Sequence, residues 1–494
     1  MDSLPPLGER QIHRRSRNAC DACRSRKVRC LCDNHNSVCK TCLELEIQCT
    51  YDKPRKRRGP QNRYVLAQIG TGLDPSTSTS PVSAATCGSD RLAPFPVIEQ
   101  MIHDWFDLIH SVCPIFHRGI FLTRLASGEA AQDGIFAALV ISVCAATSAS
   151  LKRKSSKDYG IVTVQRCVDA VEEIELQAGR FPFSLEWCQL KYHLSVSLGS
   201  EKSLDDADCF RLLAESVTGV KYLVYYRMQD MDTVSQQLLK RLYWLLFVAL
   251  CTSDLHGRPY VGLLTPEDSI IALTPLELSE DELDPTRSPL GEIDWHGNTK
   301  SYIPGLNYLS KLFLLWHKSQ RGAENSISHL QHHLNLVQRA LDYLPPELKW
   351  RGGLSRPPQS NFGTDVQTVN LYITQLHIRS NLLEQINRLS KSSGMRQTPP
   401  EVINERQSIV EDMLEILYHT SQETLEANGH SLIPKIRDLG SALLDEVRTS
   451  DREQAMRSKA SVNLEKLLAK LEDLDIHSQL QYLEMGSLPE IHGR

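Results

Sequence analysis

The chain has 494 residues, 41% hydrophobic and 23% charged, which excludes a wholly disordered protein and gives a prior of about three domains. The net charge of −5 argues against a nucleic-acid binder, but residues 1–65 carry 15 Lys/Arg against 7 Asp/Glu, a net of +8, and the remainder 40 against 53, a net of −13. A basic head on an acidic body points to one small part that meets a polyanion and a large part with another task.

The opening MDSLPPLGERQIHRRSR lacks the apolar core of a signal peptide. No uninterrupted apolar run reaches the length of a membrane span. The best, Leu242 to Cys251, suits a buried helix. These features predict an intracellular chain with reduced thiols and no membrane partner.

Seven of the 14 cysteines lie between Cys20 and Cys49. The other seven, from Cys87 to Cys251, read as small buried hydrophobes. Within the cluster, Cys20, Cys23 and Cys30 have the spacing C-x2-C-x6-C, and Cys39, Cys42 and Cys49 repeat it 19 positions later. A C-x2-C pair places two sulfurs on one turn, close enough for one zinc. Structural zinc takes four ligands, so two ions need eight metal–sulfur bonds; with six repeated cysteines, two sulfurs must bridge. Six thiolates and two Zn2+ carry a net of −2, which Arg24, Arg26, Lys27 and Arg29 can offset. Cys32 is an extra cysteine, and choosing it over Cys30 would break the repeat. A rival reading uses Cys20, Cys23, Cys39 and Cys42 as a single-zinc C-x2-C-x15-C-x2-C site, leaving Cys30 and Cys49 unused.

ACDACRSRKVRC followed by SVCKTCLELEIQCTY resembles the fungal Zn2Cys6 binuclear cluster family over about 35 residues. The resemblance implies two Zn2+, with Cys20 and Cys39 bridging, Cys23 and Cys30 completing one site, and Cys42 and Cys49 the other. Family members usually carry a proline before the fourth cysteine; this chain has Asn36-Ser37-Val38. Asp21 to Arg29 is expected to form a short helix whose acid-first, base-later order suits the helix dipole. The resemblance places this helix in the major groove, with Arg26 and Lys27 facing a CGG triplet. Lys27 is the candidate for base readout, because Lys and Arg donate to guanine O6 and N7. Arg24 and Arg29 are candidates for phosphate contacts.

Past Cys49, Lys53, Arg55, Lys56, Arg57 and Arg58 form a basic run, and Pro54, Gly59 and Pro60 speak against a continuous helix. The run fits a nuclear import signal and further phosphate contacts. Val65, Leu66 and Ile69 start an apolar stripe, but Gly70, Gly72 and the low-complexity 74–83 interrupt it. A coiled coil therefore lacks support here, and a homodimer would fall to the large domain.

From about Phe95 onward the apolar period is helical. Expected helices cover Val97 to His110, Phe136 to Leu151, Ser235 to Asp254, Asp365 to Leu389 and Glu401 to Ala427. The fold class expected is all-α: a small zinc cluster module (16–52), a basic then low-complexity linker (53–92), and a large irregular helical domain (93–494). The stretches WFDLIHSVCPIFHRGIF and QQLLKRLYWLLFVALCTSDLHGRPY resemble the fungal transcription-factor regulatory domain, or middle homology region. Arg241, Trp244, Asp254, Gly257 and Pro259 carry the second match. RRGPQNRY, KRLYWLLFV and NGHSLIPKIRDLGSALLDEV resemble the regulators of maltose and starch use.

Residues 275–295 combine seven acidic residues with leucines, a composition of acidic activation segments and of solvated loops. Leu464, Leu467, Leu471 and Leu474 form a 3-4-3 stripe, too short for a stable coiled coil. His332-His333 is expected on a polar helix face. HExxH, G-x-S-x-G and Walker A motifs are absent, and zinc saturated by sulfur leaves no place for a reacting water, so an enzyme is not expected. The resemblance implies a nuclear transcription factor bound to double-stranded DNA, working with the transcription machinery or co-regulators. The alternative is a zinc-bearing interaction or scaffold protein without DNA specificity.

Overall fold

In the computed structural model the described residues are 20–26, 30, 38–50, 92–151, 159, 161–179, 181–202, 206–258, 262, 270–283, 301–321, 326–352, 360–393, 400–449 and 459–474. The chain divides into two compact units, Met1–Val82 and Ser83–Arg494. All regular structure among the described residues is helical.

The first unit holds α1 (Asp21–Arg26) and α2 (Lys40–Glu44). Its interior is Cys20, Cys23, Cys30, Cys39 and Cys42, with Ala22, Ile47 and Cys49 packed against them. A handful of small side chains buries far too little apolar area to hold a fold, so a bound ion must supply cohesion.

The second unit begins with α3 (Phe95–Leu108), α4 (Arg118–Ala126), α5 (Gly134–Leu151), α6 (Val164–Ala178), α7 (Leu185–Glu201), α8 (Ala207–Tyr226) and α9 (Thr233–Leu255). Two short helices, α10 (Ile270–Leu273) and α11 (Glu280–Leu283), follow. It continues with α12 (Ile303–Ser319), α13 (Ile327–Gln338), α14 (Phe362–Ser392), α15 (Pro400–His419), α16 (Gln422–Asn428), α17 (Ile433–Thr449) and α18 (Lys459–Leu474). One contiguous apolar core runs from Leu92 to Leu474.

Local chemistry explains the boundaries. Thr163, Ser184, Asp206, Asp232, Ser326, Asn361 and Ser421 each accept a backbone N–H of the first turn that follows, which satisfies a donor the helix cannot. Asn361 and Thr364 form a reciprocal capping box at the start of α14, the longest helix. Pro96 stands in the first turn of α3, where its missing N–H costs nothing. At the end of α9, Gly257 takes φ +68°, a conformation that favours glycine, and turns the chain away.

α5 is apolar on all faces; 13 of its 18 residues are buried, and it packs against α3, α6 and α7. Among the described residues it is the one helix long and apolar enough to cross a membrane, a test that a buried core helix also passes. The expectation of central burial for Ser235–Asp254 is also met, since α9 buries Leu239, Leu242, Tyr243 and Leu246. Trp244 fills core and donates its indole N–H to the Leu273 carbonyl at 2.9 Å.

Three expectations need correction. Glu401–Ala427 is two helices, not one, because Ser421 caps a new start at α16. His333 is buried, its Nδ1 3.1 Å from the His329 carbonyl, and His332 alone faces outward. The acidic stretch from Pro275 is not simply a solvated loop: Pro275, Ser279 and Leu283 are buried, and the Glu280 carboxylate accepts the Arg118 N–H at 2.7 Å. The reason is the first-turn N–H groups of α4, which offer a ready carboxylate partner. Its continuation to Trp295 lies outside the described residues. Arg241 is buried and forms no close ion pair. Its guanidinium donates to the Pro114 carbonyl at 3.4 Å, and Glu280 is the carboxylate whose field it feels.

Of the scattered cysteines, Cys144, Cys167, Cys188, Cys209 and Cys251 are buried and Cys113 is partly so, while Cys87 lies outside the described residues. Leu467 and Leu474 are buried, and Leu464 and Leu471 pack against the core, so the leucine stripe of α18 is an intramolecular surface set against α15 and α17.

Candidate metal centre and nucleic-acid interface

The 19-residue repeat reappears as repeated hydrogen bonding. Cys23 N–H donates to Cys20 Sγ at 3.4 Å, and Cys42 N–H to Cys39 Sγ at 3.3 Å. Cys20 N–H points at Cys30 Sγ at 3.5 Å, and Cys39 N–H at Cys49 Sγ at 3.5 Å. Each half thus folds into the same loop: a first cysteine begins a helix, the third residue on returns its amide to that sulfur, and the last cysteine closes onto the first one's backbone. Asp21 N–H bonds the Thr50 carbonyl at 2.8 Å, and Thr50 Oγ1 donates to Asp21 Oδ2 at 3.2 Å, tying the ends together.

The sulfurs converge. Cys20 and Cys39 Sγ lie 3.7 Å apart, Cys20 and Cys42 3.5 Å, Cys23 and Cys39 3.6 Å, and Cys23 and Cys42 4.0 Å. A tetrahedral zinc with Zn–S bonds of about 2.3 Å holds its sulfurs about 3.8 Å apart. The Cys20–Cys39, Cys20–Cys42 and Cys23–Cys39 separations fit edges of two tetrahedra that share Cys20 and Cys39, while the 4.0 Å between Cys23 and Cys42 is the closeness a single-zinc set of these four would show. Cys30 and Cys49, one from each half, flank this group through their contacts to the Cys20 and Cys39 amides. The donor set is all sulfur, chemistry that suits zinc.

The thiols differ in acidity. Burial pushes Cys20 and Cys39 upward, but the Cys23 and Cys42 amides that point at their sulfurs outweigh it and hold both below the ordinary value. Burial, then the neighbouring Cys39 and Cys20 sulfurs, drives Cys42 up to about 12, and Cys23 is raised for the same kind of reason. Among the four central sulfurs, the amide hydrogen bonds thus favour the thiolate at the first cysteine of each half.

Of the candidate DNA contacts, Arg24 and Arg26 lie on α1, and the Arg26 side chain is exposed. Lys27, Arg29, Lys53, Arg55, Lys56, Arg57 and Arg58 lie outside the described residues, as does Cys32. The repeat separates the two halves by charge. Positions 19 residues after Arg24, Arg26, Lys27 and Arg29 are Leu43, Leu45, Glu46 and Gln48, so only the first half is cationic. Leu43 and Leu45 are exposed, and Glu46 takes φ +51°, completing the turn back toward Cys49. Sequence reasoning missed the Asp21–Thr50 clamp; its only trace is an acid at the start of α1.

A small unit with a sulfur-lined core and two copies of one loop defines a metal-cluster module. Residues 18–58 match the fungal Zn(2)-Cys(6) binuclear cluster domain, and the cluster binds two zinc ions. The chain is also 24% identical over 268 residues to the maltose fermentation regulatory protein MAL33 of Saccharomyces cerevisiae, covering 51% of this chain and 53% of that protein. It is 21% identical over 280 residues to MAL13 of the same yeast, covering 54% and 55%. The Zn(2)-C6 fungal-type transcription factor afumD of Aspergillus fumigatus is 45% identical over 47 residues, covering 10% of this chain and 12% of that protein. The chain spans about half the length of the maltose regulators it matches, and their likeness is far longer than the cluster.

Proposed function

We propose that this chain is a nuclear, sequence-specific regulator of RNA polymerase II transcription that reads CGG-type triplets through its binuclear zinc cluster. The observation that carries the reading is the duplicated sulfur-centred loop with cations on one half only. Cys20 and Cys39 bridge the metals, Cys23 and Cys30 complete one zinc, and Cys42 and Cys49 the other. The zincs are structural, fully coordinated by sulfur, and their task is to present α1 rigidly. Lys27 reads guanine with Arg26 beside it, while Arg24 and Arg29 hold phosphates. Lys53, Arg55, Lys56, Arg57 and Arg58 add backbone contacts and an import signal.

The organisation proposed is a DNA-binding module at 16–52, a linker at 53–92 and a regulatory domain at 93–494. The helical second unit and the long likeness to two maltose regulators support a regulator of carbohydrate use; a specialised-metabolite cluster is the other pathway class with this architecture. Homodimer formation and recruitment of co-regulators fall to the helical domain, and no catalytic function is assigned to it.

Lys27→Ala tests the reading. Its preference for a CGG duplex over a scrambled one should fall about 5- to 150-fold, the loss of about 1–3 kcal/mol expected for one good base contact, with zinc content still two per chain. Equal binding of both duplexes by the unsubstituted protein would instead favour a zinc-bearing scaffold without DNA specificity.

A further inference from the structure

Away from the cysteine cluster, three helices bring two imidazoles and one carboxylate to a point. His256 caps the C-terminus of α9, His377 stands in the middle of α14, and Asp438 lies on α17. Asp438 Oδ2 is 2.8 Å from His377 Nε2 and 3.6 Å from His256 Nε2, and the three ligand atoms lie within 4.8 Å of one another. Metal bonds of about 2.0–2.2 Å to nitrogen and oxygen place neighbouring ligand atoms roughly 3.0–3.5 Å apart. The two Asp438 separations lie just outside that range, one on either side, and the shorter is the length of a hydrogen bond.

The orientation of His256 is the sharper observation. Its Nδ1 lies 2.7 Å from the Thr252 carbonyl, one helical turn back, so Nδ1 carries the proton and donates it. That leaves Nε2 either bare or carrying a second proton. Nε2 is buried, makes no hydrogen bond, and faces the Asp438 carboxylate. A bare Nε2 facing the carboxylate at 3.6 Å would be repelled unless something positive, a metal ion or a second proton, stands between them. A ring nitrogen that donates to a carbonyl, with the other nitrogen free to bind, is the arrangement of a metal-ligating histidine; His377 Nδ1, by contrast, is buried with no hydrogen-bond partner. His377 is fully buried beside it, ring centroids 5.4 Å apart. Asp438 is about a third exposed, which leaves a path from solvent.

We propose that His256, His377 and Asp438 form a third metal site, separate from the cysteine cluster, for a borderline divalent transition-metal ion such as Zn2+. Two imidazoles and one carboxylate give the mixed nitrogen–oxygen set such ions take, with coordination positions left open. Lys435, one turn before Asp438, donates to Thr374 and Asn370 at 2.7 and 3.2 Å, so its hydrogen bonds are directed to neighbours other than the triad. A bound ion would cross-link the end of α9 to α14 and α17, and binding would stabilise the helical unit by mass action.

The test is equilibrium dialysis of the full chain against micromolar Zn2+, with metal analysis, and the same experiment with Co2+. Three equivalents should bind. The third cobalt should show weak visible bands without the intense thiolate charge-transfer absorption of the cluster. His256→Ala and Asp438→Asn should each bind two equivalents while keeping the thiolate absorption. A stoichiometry of two in the unsubstituted protein, or a third equivalent retained by both variants, would overturn the site and leave a hydrogen-bonded His–Asp pair. Should a variant fail to fold, the third cobalt spectrum of the unsubstituted chain decides alone. Cluster failure would be separately visible as lost thiolate absorption.

Discussion

At the scale of single residues, burial sets the behaviour of the titratable groups. His193 stacks on Phe116 at a centroid distance of 5.3 Å, and burial pushes its pKa down to about 3. His110, under Trp105 and Phe106, is pushed down to about 3 by burial as well. Both are neutral in the folded chain and titrate near 6.5 when unfolded. The unfolded state therefore takes up protons first, and stability falls as pH drops below about 6.5. Glu280 works in the opposite direction: burial raises its carboxyl to about 7, so its protonated form favours folding between about 7 and 4.5. A quarter of its side chain stays exposed, which weakens that term against the two fully enclosed imidazoles. Urea unfolding should thus show lower stability at pH 5 than at pH 7. His193→Leu should shrink the difference by about 2 kcal/mol, the linkage value of one imidazole over about 1.5 pH units. An unchanged pH difference in that variant would mean that His193 does not stay neutral when folded.

At the scale of elements, close helix contacts limit what the chain tolerates. α7 and α8 pack tightly because Gly219 on α8 leaves room for Cys188 and Trp187 on α7. A Cβ at Gly219 would lie 2.6 Å from Cys188 Sγ and 2.9 Å from the Trp187 ring. Alanine normally gains about 1 kcal/mol over glycine inside a helix. Here overpacking of about 1–3 kcal/mol opposes that gain, so Gly219→Ala should lower the unfolding midpoint. A raised midpoint would show that the pair separates freely. Part of the element layout was legible from residues: an amphipathic period marked α3, nearly continuous apolar runs marked α5 and α9, and α14 was expected from its length and pattern, while α6, α7 and α8 were not singled out. What else escaped depends on partners distant in sequence. Glu280 looks like one more acid in an acidic stretch until Arg118, 162 positions earlier, presents its amide. Likewise, no local signal gathers His256, His377 and Asp438, which come from three helices.

At the scale of the molecule, charge and cohesion divide along the same line. The first unit is basic and owes its fold to metal–sulfur bonds; the second is acidic and owes its fold to one large apolar core. The cluster was the part most legible from sequence, because two spacings repeated at 19 residues constrain ligand identity, and the repeated amide–sulfur bonds are their geometric counterpart. On the proposed reading, the acidic body opposes nonspecific attachment to DNA and leaves discrimination to the small head. Selection of binding sites from random duplex DNA by the full-length, zinc-loaded protein tests the central claim most directly. Enrichment of CGG triplets is the predicted result, one triplet for a monomer or two at fixed spacing for a dimer. Recovery of a pool without any enriched triplet would contradict it.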